Sequence, residues 1–113
     1  MNFAKGIVRE RTYKNKGEAR YAQYLELCKR AGEILDYWYE SIRLLVGESN
    51  ESKNAWFNAD FFVLCKDRTL EVREFKGRRM PAELMRLKSA AMRYPFRFVL
   101  VTTKGQNFKE EVI

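Results

Sequence analysis

No histidine occurs anywhere in the 113 residues. That absence excludes histidine general bases, zinc–histidine centres and His–Asp triads. A Gly-rich phosphate loop is missing as well. No apolar run approaches the ~20 residues of a membrane span, and residues 1–10 lack a signal-like apolar stretch. The two cysteines, Cys28 and Cys65, have neither metal-ligand nor redox spacing. They read as reduced core thiols of a cytoplasmic protein. Any hydrolysis by this chain must therefore run on carboxylates, lysine and a hard metal ion.

What is present is ordinary globular material, 46% hydrophobic and 14% aromatic, which argues against disorder. The length suits a single domain over residues 1–113, enough to bury roughly two-thirds of its unfolded surface. The formal charge is +7, carried by two basic ends around a mildly acidic middle. A polyanionic partner such as DNA or RNA fits that distribution, and a plain solvated basic surface fits it too.

Residues 1–14 read as a basic N-terminal arm. A helix is expected from Asn15, where Asn15 and Glu18 form a capping-box-like pair, to a stop at Gly32. Tyr21, Tyr24, Leu25, Cys28 and Ala31 recur on it at helical spacing. Strands are expected over 34–46, 55–65 and 70–76, with Lys66-Asp67-Arg68-Thr69 as a hairpin turn and 47–54 as a loop. Pro81 opens a second helix that Pro95 ends, and 96–103 reads as a buried strand. Residues 108–113 fit no single pattern. The order predicts an antiparallel three-stranded meander followed by a parallel crossover, an α/β layer around a mixed sheet.

Ionisable residues break the apolar patterns in a few places. Residues two apart share a strand face, so Glu74 and Lys76 point with Leu70 and Val72, and Asp60 points with Phe62 and Leu64. Two carboxylates and an amine entering an apolar layer are costly unless they pair or bind something charged. A structural Glu–Lys pair or a charge-blunted edge strand accounts for the same residues. Glu18 lies at the edge of the inward face of the first helix, as a site residue or as the capping-box acid. Lys88 falls about 40° from Leu84 on the second helix, inside the expected apolar arc. It faces a site, or its stem lies on the core while the ammonium snorkels to the rim.

This set resembles the PD-(D/E)XK nuclease superfamily: Asp60, then Glu74-Phe75-Lys76 on the next strand, after a helix bearing Glu18. More closely, Glu18-Ala19-Arg20-Tyr21, Lys29 to Ile34, Ala59-Asp60-Phe61, Glu74 to Gly77, and Lys88 through Phe96 resemble a small phage and prophage family of that superfamily. Ala59 stands where that pattern commonly has proline, which shapes the backbone but supplies no ligand.

The resemblance implies a restriction-endonuclease-like αβββαβ core with a mixed sheet flanked by helices. It implies a Mg²⁺- or Mn²⁺-dependent endonuclease cutting DNA in phage DNA metabolism, with branched or structured DNA, as for Holliday-junction resolvases, among the substrates to expect. Asp60, Glu74, the Phe75 carbonyl and Glu18 would hold metal, with Lys76 and Lys88 as catalytic ammonium groups. Lys14, Lys16, Arg20, Arg78 and Arg79 are then candidates for tracking phosphates. A single site per chain implies a homodimer for two-strand cutting, and no membrane partner is expected. The alternative is a catalytically inactive nuclease fold that binds nucleic acid or a host protein.

Overall fold

Helix α1 (Lys16–Arg30) starts where Asn15 leaves the helical conformation, its side chain accepting the Glu18 N–H at 2.8 Å. Gly32, in the left-handed region at φ 79°, closes it. Glu18, Tyr21, Ala22, Leu25 and Cys28 form its buried stripe. The acid thus occupies the first step of an otherwise core-facing row. The computed structural model describes residues 12–47, 55–77 and 81–113. The expected loop at 47–54 therefore lies almost wholly outside them, as do Arg78, Arg79 and most of the basic arm.

Strands β1 (Ile34–Tyr39), β2 (Arg43–Gly47), β3 (Ala55–Asn58), β4 (Phe61–Cys65) and β5 (Leu70–Phe75) come next. Helix α2 (Pro81–Arg93) and strands β6 (Arg97–Lys104) and β7 (Asn107–Val112) complete the chain. The main sheet has the order β1-β4-β5-β6-β7, while β2 and β3 form a separate two-stranded sheet. The β5–β6 pair is parallel and joined through α2, and the other pairs are antiparallel. The architecture is α/β with a mixed sheet, as the pattern of elements implied. The undecided residues 108–113 prove to belong to an edge strand, β7, whose Val99↔Val112 pairing closes the sheet.

Two expected strands are each broken in two. The stretch 34–46 divides at Glu40–Ile42, and 55–65 divides at Ala59–Asp60. These breaks face each other: the Glu40 N–H donates to the Asp60 carbonyl at 2.8 Å, and the Ala59 N–H donates to the Ile42 carbonyl at 3.3 Å. Glu40 takes φ 50°, a left-handed turn costing a non-glycine residue about 1–3 kcal/mol. A long ribbon therefore leaves the sheet at a corner, and Asp60 sits at that corner.

Alternation along the strands divides the core between two layers. Phe61, Val63, Phe75, Val99 and Val101 pack with Tyr21, Leu25 and Cys28 of α1. Val72, Phe98 and Leu100 pack with Leu87 and Ala90 of α2 and with Leu44 and Phe57 of the ribbon. The cysteines form no disulfide. Neither described helix is long and apolar enough to cross a membrane.

Lys88 requires a correction: it is exposed, not inward. An apolar arc about Leu84 takes in Met85 and Met92, yet they are 68% and 88% exposed. The buried stripe centres on Leu87 and Ala90, about 60–120° from Leu84 on the side away from Lys88. Methionine at helical spacing pulled the expected face the wrong way.

Candidate functional site

The first turns of both helices, the start of β4 and the end of β5 meet at one end of the main sheet. Three carboxylates are buried there: Asp60 at 1% exposure, Glu18 at 3% and Glu74 at 5%. Asp60 and Glu74 hold each other in place. The Asp60 N–H donates to Glu74 Oε1 at 3.0 Å, and the Phe75 N–H donates to Asp60 Oδ2 at 3.0 Å. Each acid is fixed through one oxygen by the other strand's backbone.

The second oxygen of each acid meets an ammonium group. Asp60 Oδ1 lies 3.2 Å from Lys14 Nζ, and Glu74 Oε2 lies 3.2 Å from Lys76 Nζ. Lys14 Nζ also approaches Glu40 at 3.4 Å and Glu18 at 3.8 Å. Lys76 Nζ reaches Glu83, in the first turn of α2, at 2.6 Å. Glu18 Oε1 accepts from the Tyr39 hydroxyl, which itself accepts the Lys14 N–H at 3.1 Å. An open cleft of about 530 Å³ faces this set, lined by Lys14, Asn15, Glu18, Phe75, Lys76, Gly77 and Glu83.

Five carboxyl groups thus surround two ammonium groups, in a chain whose formal charge is +7. The electrostatics follow. Burial, then the Asp60 charge, pushes the Glu74 carboxyl up to about 8 against the opposing pull of Lys76. Burial likewise raises Asp60 and Glu18. Burial would lower Lys14, but Asp60 and Glu18 outweigh it and hold the ammonium charged. For Lys76 burial is outweighed in the same way by Glu83 and Glu74. The site is short of positive charge.

Asp60, Glu74, Phe75, Lys76 and Glu18 therefore come together as the sequence pattern proposed. Lys14 joins them, its ammonium beside Asp60, Glu40 and Glu18. Lys16 is exposed on the first turn of α1. Arg20 is turned away, donating to the Gln106 carbonyl at 3.3 Å and lying over the Phe108 ring. Tyr39, Glu40 and Glu83 were not anticipated. Only Glu83 carried a signal, an acid in the first turn of a proline-opened helix. Gly17 was also unmarked: a Cβ there would collide with the Phe75 ring, so glycine lets α1 approach the end of β5.

A hard divalent cation would find oxygen donors here. Such ions favour oxygen ligands, and Mg²⁺ typically takes one or two carboxylates and keeps several waters. Asp60 Oδ1 and Glu74 Oε2 each already face a cationic nitrogen, while their partner oxygens are held by backbone N–H groups. Among the described residues no three acid, cysteine or histidine side chains form a ready cage. Lys14 bridges Asp60 and Glu18, its ammonium 3.2 Å from the one and 3.8 Å from the other.

The family model described as "Protein of unknown function (DUF1064)" matches residues 2–110. The chain belongs to that family. No curated protein and no solved structure matches it. Membership carries no activity in its description, so the chemistry has to be argued from the cleft.

Proposed function

We propose that this chain is a metal-dependent endonuclease hydrolysing DNA phosphodiester bonds, built on a restriction-endonuclease-like core of the PD-(D/E)XK kind. The observation that carries the reading is the meeting of Asp60, Glu74 and Lys76 behind one cleft, whose wall includes Lys14, Glu18 and Lys76, with oxygens of both acids turned to the two lysines. Asp60, Glu74, the Phe75 carbonyl and Glu18 would hold Mg²⁺ or Mn²⁺. A divalent ion there supplies charge neutralisation of the phosphodiester and activation of water.

The chain's own residues supply the rest. Lys76, held at the cleft wall by Glu74 and Glu83, orients the attacking water and stabilises charge developing on the phosphate. Glu18, fixed by the Tyr39 hydroxyl, would be the acid on the helix side of the divalent ion. Lys16, Arg78 and Arg79 contact flanking phosphates, a sequence-independent and salt-sensitive contribution. Branched or structured DNA is the substrate class we assign. Cutting both strands takes two copies, and edge strand β1, with Trp38 and Leu35 partly exposed, is a surface for pairing them.

The test uses the full chain with Mg²⁺ or Mn²⁺ on duplex, single-stranded and four-way DNA. Asp60→Asn and Glu74→Gln should each reduce cutting about a thousandfold, the scale of losing several kcal/mol of transition-state stabilisation. Cutting that survives both substitutions would end the site assignment. One observation favours a second reading, a nuclease-like fold that binds nucleic acid without cutting it. The Lys14 ammonium already neutralises the acids a metal would need. Binding without metal and without cleavage on any of these substrates would select it.

A further inference from the structure

We infer that Lys14 is a tethered counter-cation that competes with the divalent ion and thereby couples metal loading to DNA binding. The inference rests on the metal-site reading above and assigns Lys14 a role of its own. In the protein as it stands the Lys14 ammonium touches Asp60, Glu40 and Glu18 together. Every buried polar side-chain atom among the described residues has a hydrogen-bond partner, so the acids are satisfied without metal. The side chain is nevertheless 54% exposed and lines the cleft, so its four-carbon stem can swing outward without unpacking the core. Its backbone N–H bond to Tyr39 fixes where the swing starts.

A metal at Asp60 and Glu18 has to displace this ammonium, and a metal beside it meets like-charge repulsion. Metal affinity in the absence of DNA is lowered accordingly. A phosphate entering the cleft offers the displaced ammonium another anion. It thereby frees the carboxylates, so DNA strengthens metal binding and metal strengthens DNA binding by the same factor.

Two titrations of Mn²⁺ into the full chain test this. In the first, Lys14→Gln should bind Mn²⁺ about tenfold more tightly than the parent without DNA, within the usual range of such couplings. In the second, a short phosphorothioate duplex, chosen to resist cutting, should tighten Mn²⁺ binding to the parent chain about tenfold. The same duplex should tighten binding to Lys14→Gln far less. The parent-chain titration needs no substitution, so it stands even if Lys14→Gln folds poorly.

Equal Mn²⁺ affinity in both chains, or no effect of the duplex on the parent, overturns the counter-cation role. If Asp60→Asn still weakens Mn²⁺ binding in that case, the metal site survives. No Mn²⁺ binding to either chain overturns both.

Discussion

Strand β5 carries two buried acids three residues apart, Glu71 and Glu74, and they have opposite surroundings. Glu71 points to the α1 face, where two arginines close on it: Arg73 at 3.0 Å and Arg97 at 3.1 Å. Arg73 in turn donates to the Tyr21 hydroxyl at 3.0 Å and to Glu110 at 3.3 Å, tying α1, β5 and β7 into one network. Glu74 points to the other face, beside a second carboxylate, with a lysine as its cation. Guanidinium forks with several fixed partners lock an acid in place, whereas an ammonium on a long stem can be exchanged for another cation. The comparison teaches that a buried acid marks a candidate site when its counter-charge is short in supply and no guanidinium fork locks it. Glu71 is architecture; Glu74 is the candidate chemistry.

Substitution to glutamine should break the comparison most visibly, because the two positions respond with opposite sign. Glu71→Gln leaves two arginines without their shared carboxylate and should cost about 3 kcal/mol, the scale of breaking a buried pair. Glu74→Gln removes a charge that burial and Asp60 already oppose, and its amide oxygen still accepts the Asp60 N–H. It should stabilise the metal-free chain by about 1 kcal/mol, as relief of a functional site commonly does. Denaturant unfolding of both variants without metal is the measurement. Equal losses at the two positions would mean that Glu74 is structural as well.

The pH response sharpens the same contrast. Glu74 has a folded value raised to about 8 from an ordinary 4.5. Below 4.5 both states hold the proton, and the folded state keeps it longer as pH rises. Its contribution to stability is therefore complete at low pH and is lost between about 4.5 and about 8. Asp60 and Glu18, also raised, act in the same direction. The metal-free chain should lose thermal stability across that window, and Glu74→Gln should flatten the profile. Metal needs the ionised acid, so Mn²⁺ affinity should rise with pH up to about 8. A parent chain whose metal-free stability climbs over the same range would remove the electrostatic basis of the site.

Gly17→Ala probes how the cleft half is assembled. The added methyl meets the ring of Phe75, which is buried, so the ring or α1 has to shift. Overpacking of this kind costs about 1–3 kcal/mol, partly offset here by alanine's better helix propensity. Metal affinity should fall along with stability, because the Phe75 N–H fixes Asp60. The Glu71 network lies toward the other end of β5, and amide exchange there should be unchanged.

Much of this arrangement was legible from residue order, for identifiable reasons. Strand alternation places Glu74 and Lys76 on one face, and the acids of adjoining strands converge because the hairpin turn at 66–69 fixes their register at Phe61↔Arg73. The fold order was legible because both helices carry strong start and stop residues. The corner at Asp60 was not, since Ala55 to Cys65 reads as one continuous strand and the turn at Glu40 uses no glycine, proline or asparagine. The pairing of Lys14 with Asp60 was not legible, because the two are 46 residues apart and no periodicity links them. The Glu71 network was not legible, because Glu71 and Arg73 alternate with Leu70 and Val72, and Arg97 with Phe96 and Phe98, as a solvated face would.

Lys88 tests the corrected face of α2 and should show the smallest effect. It is exposed, and it does not line the cleft. Lys88→Ala should therefore change stability by no more than about 0.5 kcal/mol, the ordinary range for a surface position. Cutting and Mn²⁺ affinity should match the parent, in contrast to Lys76→Ala, which removes the cation shared by Glu74 and Glu83. A hundredfold loss of cutting on Lys88→Ala with stability intact would mean that the exposed face of α2 meets the substrate. That outcome would also draw Met85 and Met92, exposed on the same face, into the DNA contact, so protection of both methionines from oxidation by bound DNA would distinguish direct contact from an indirect effect.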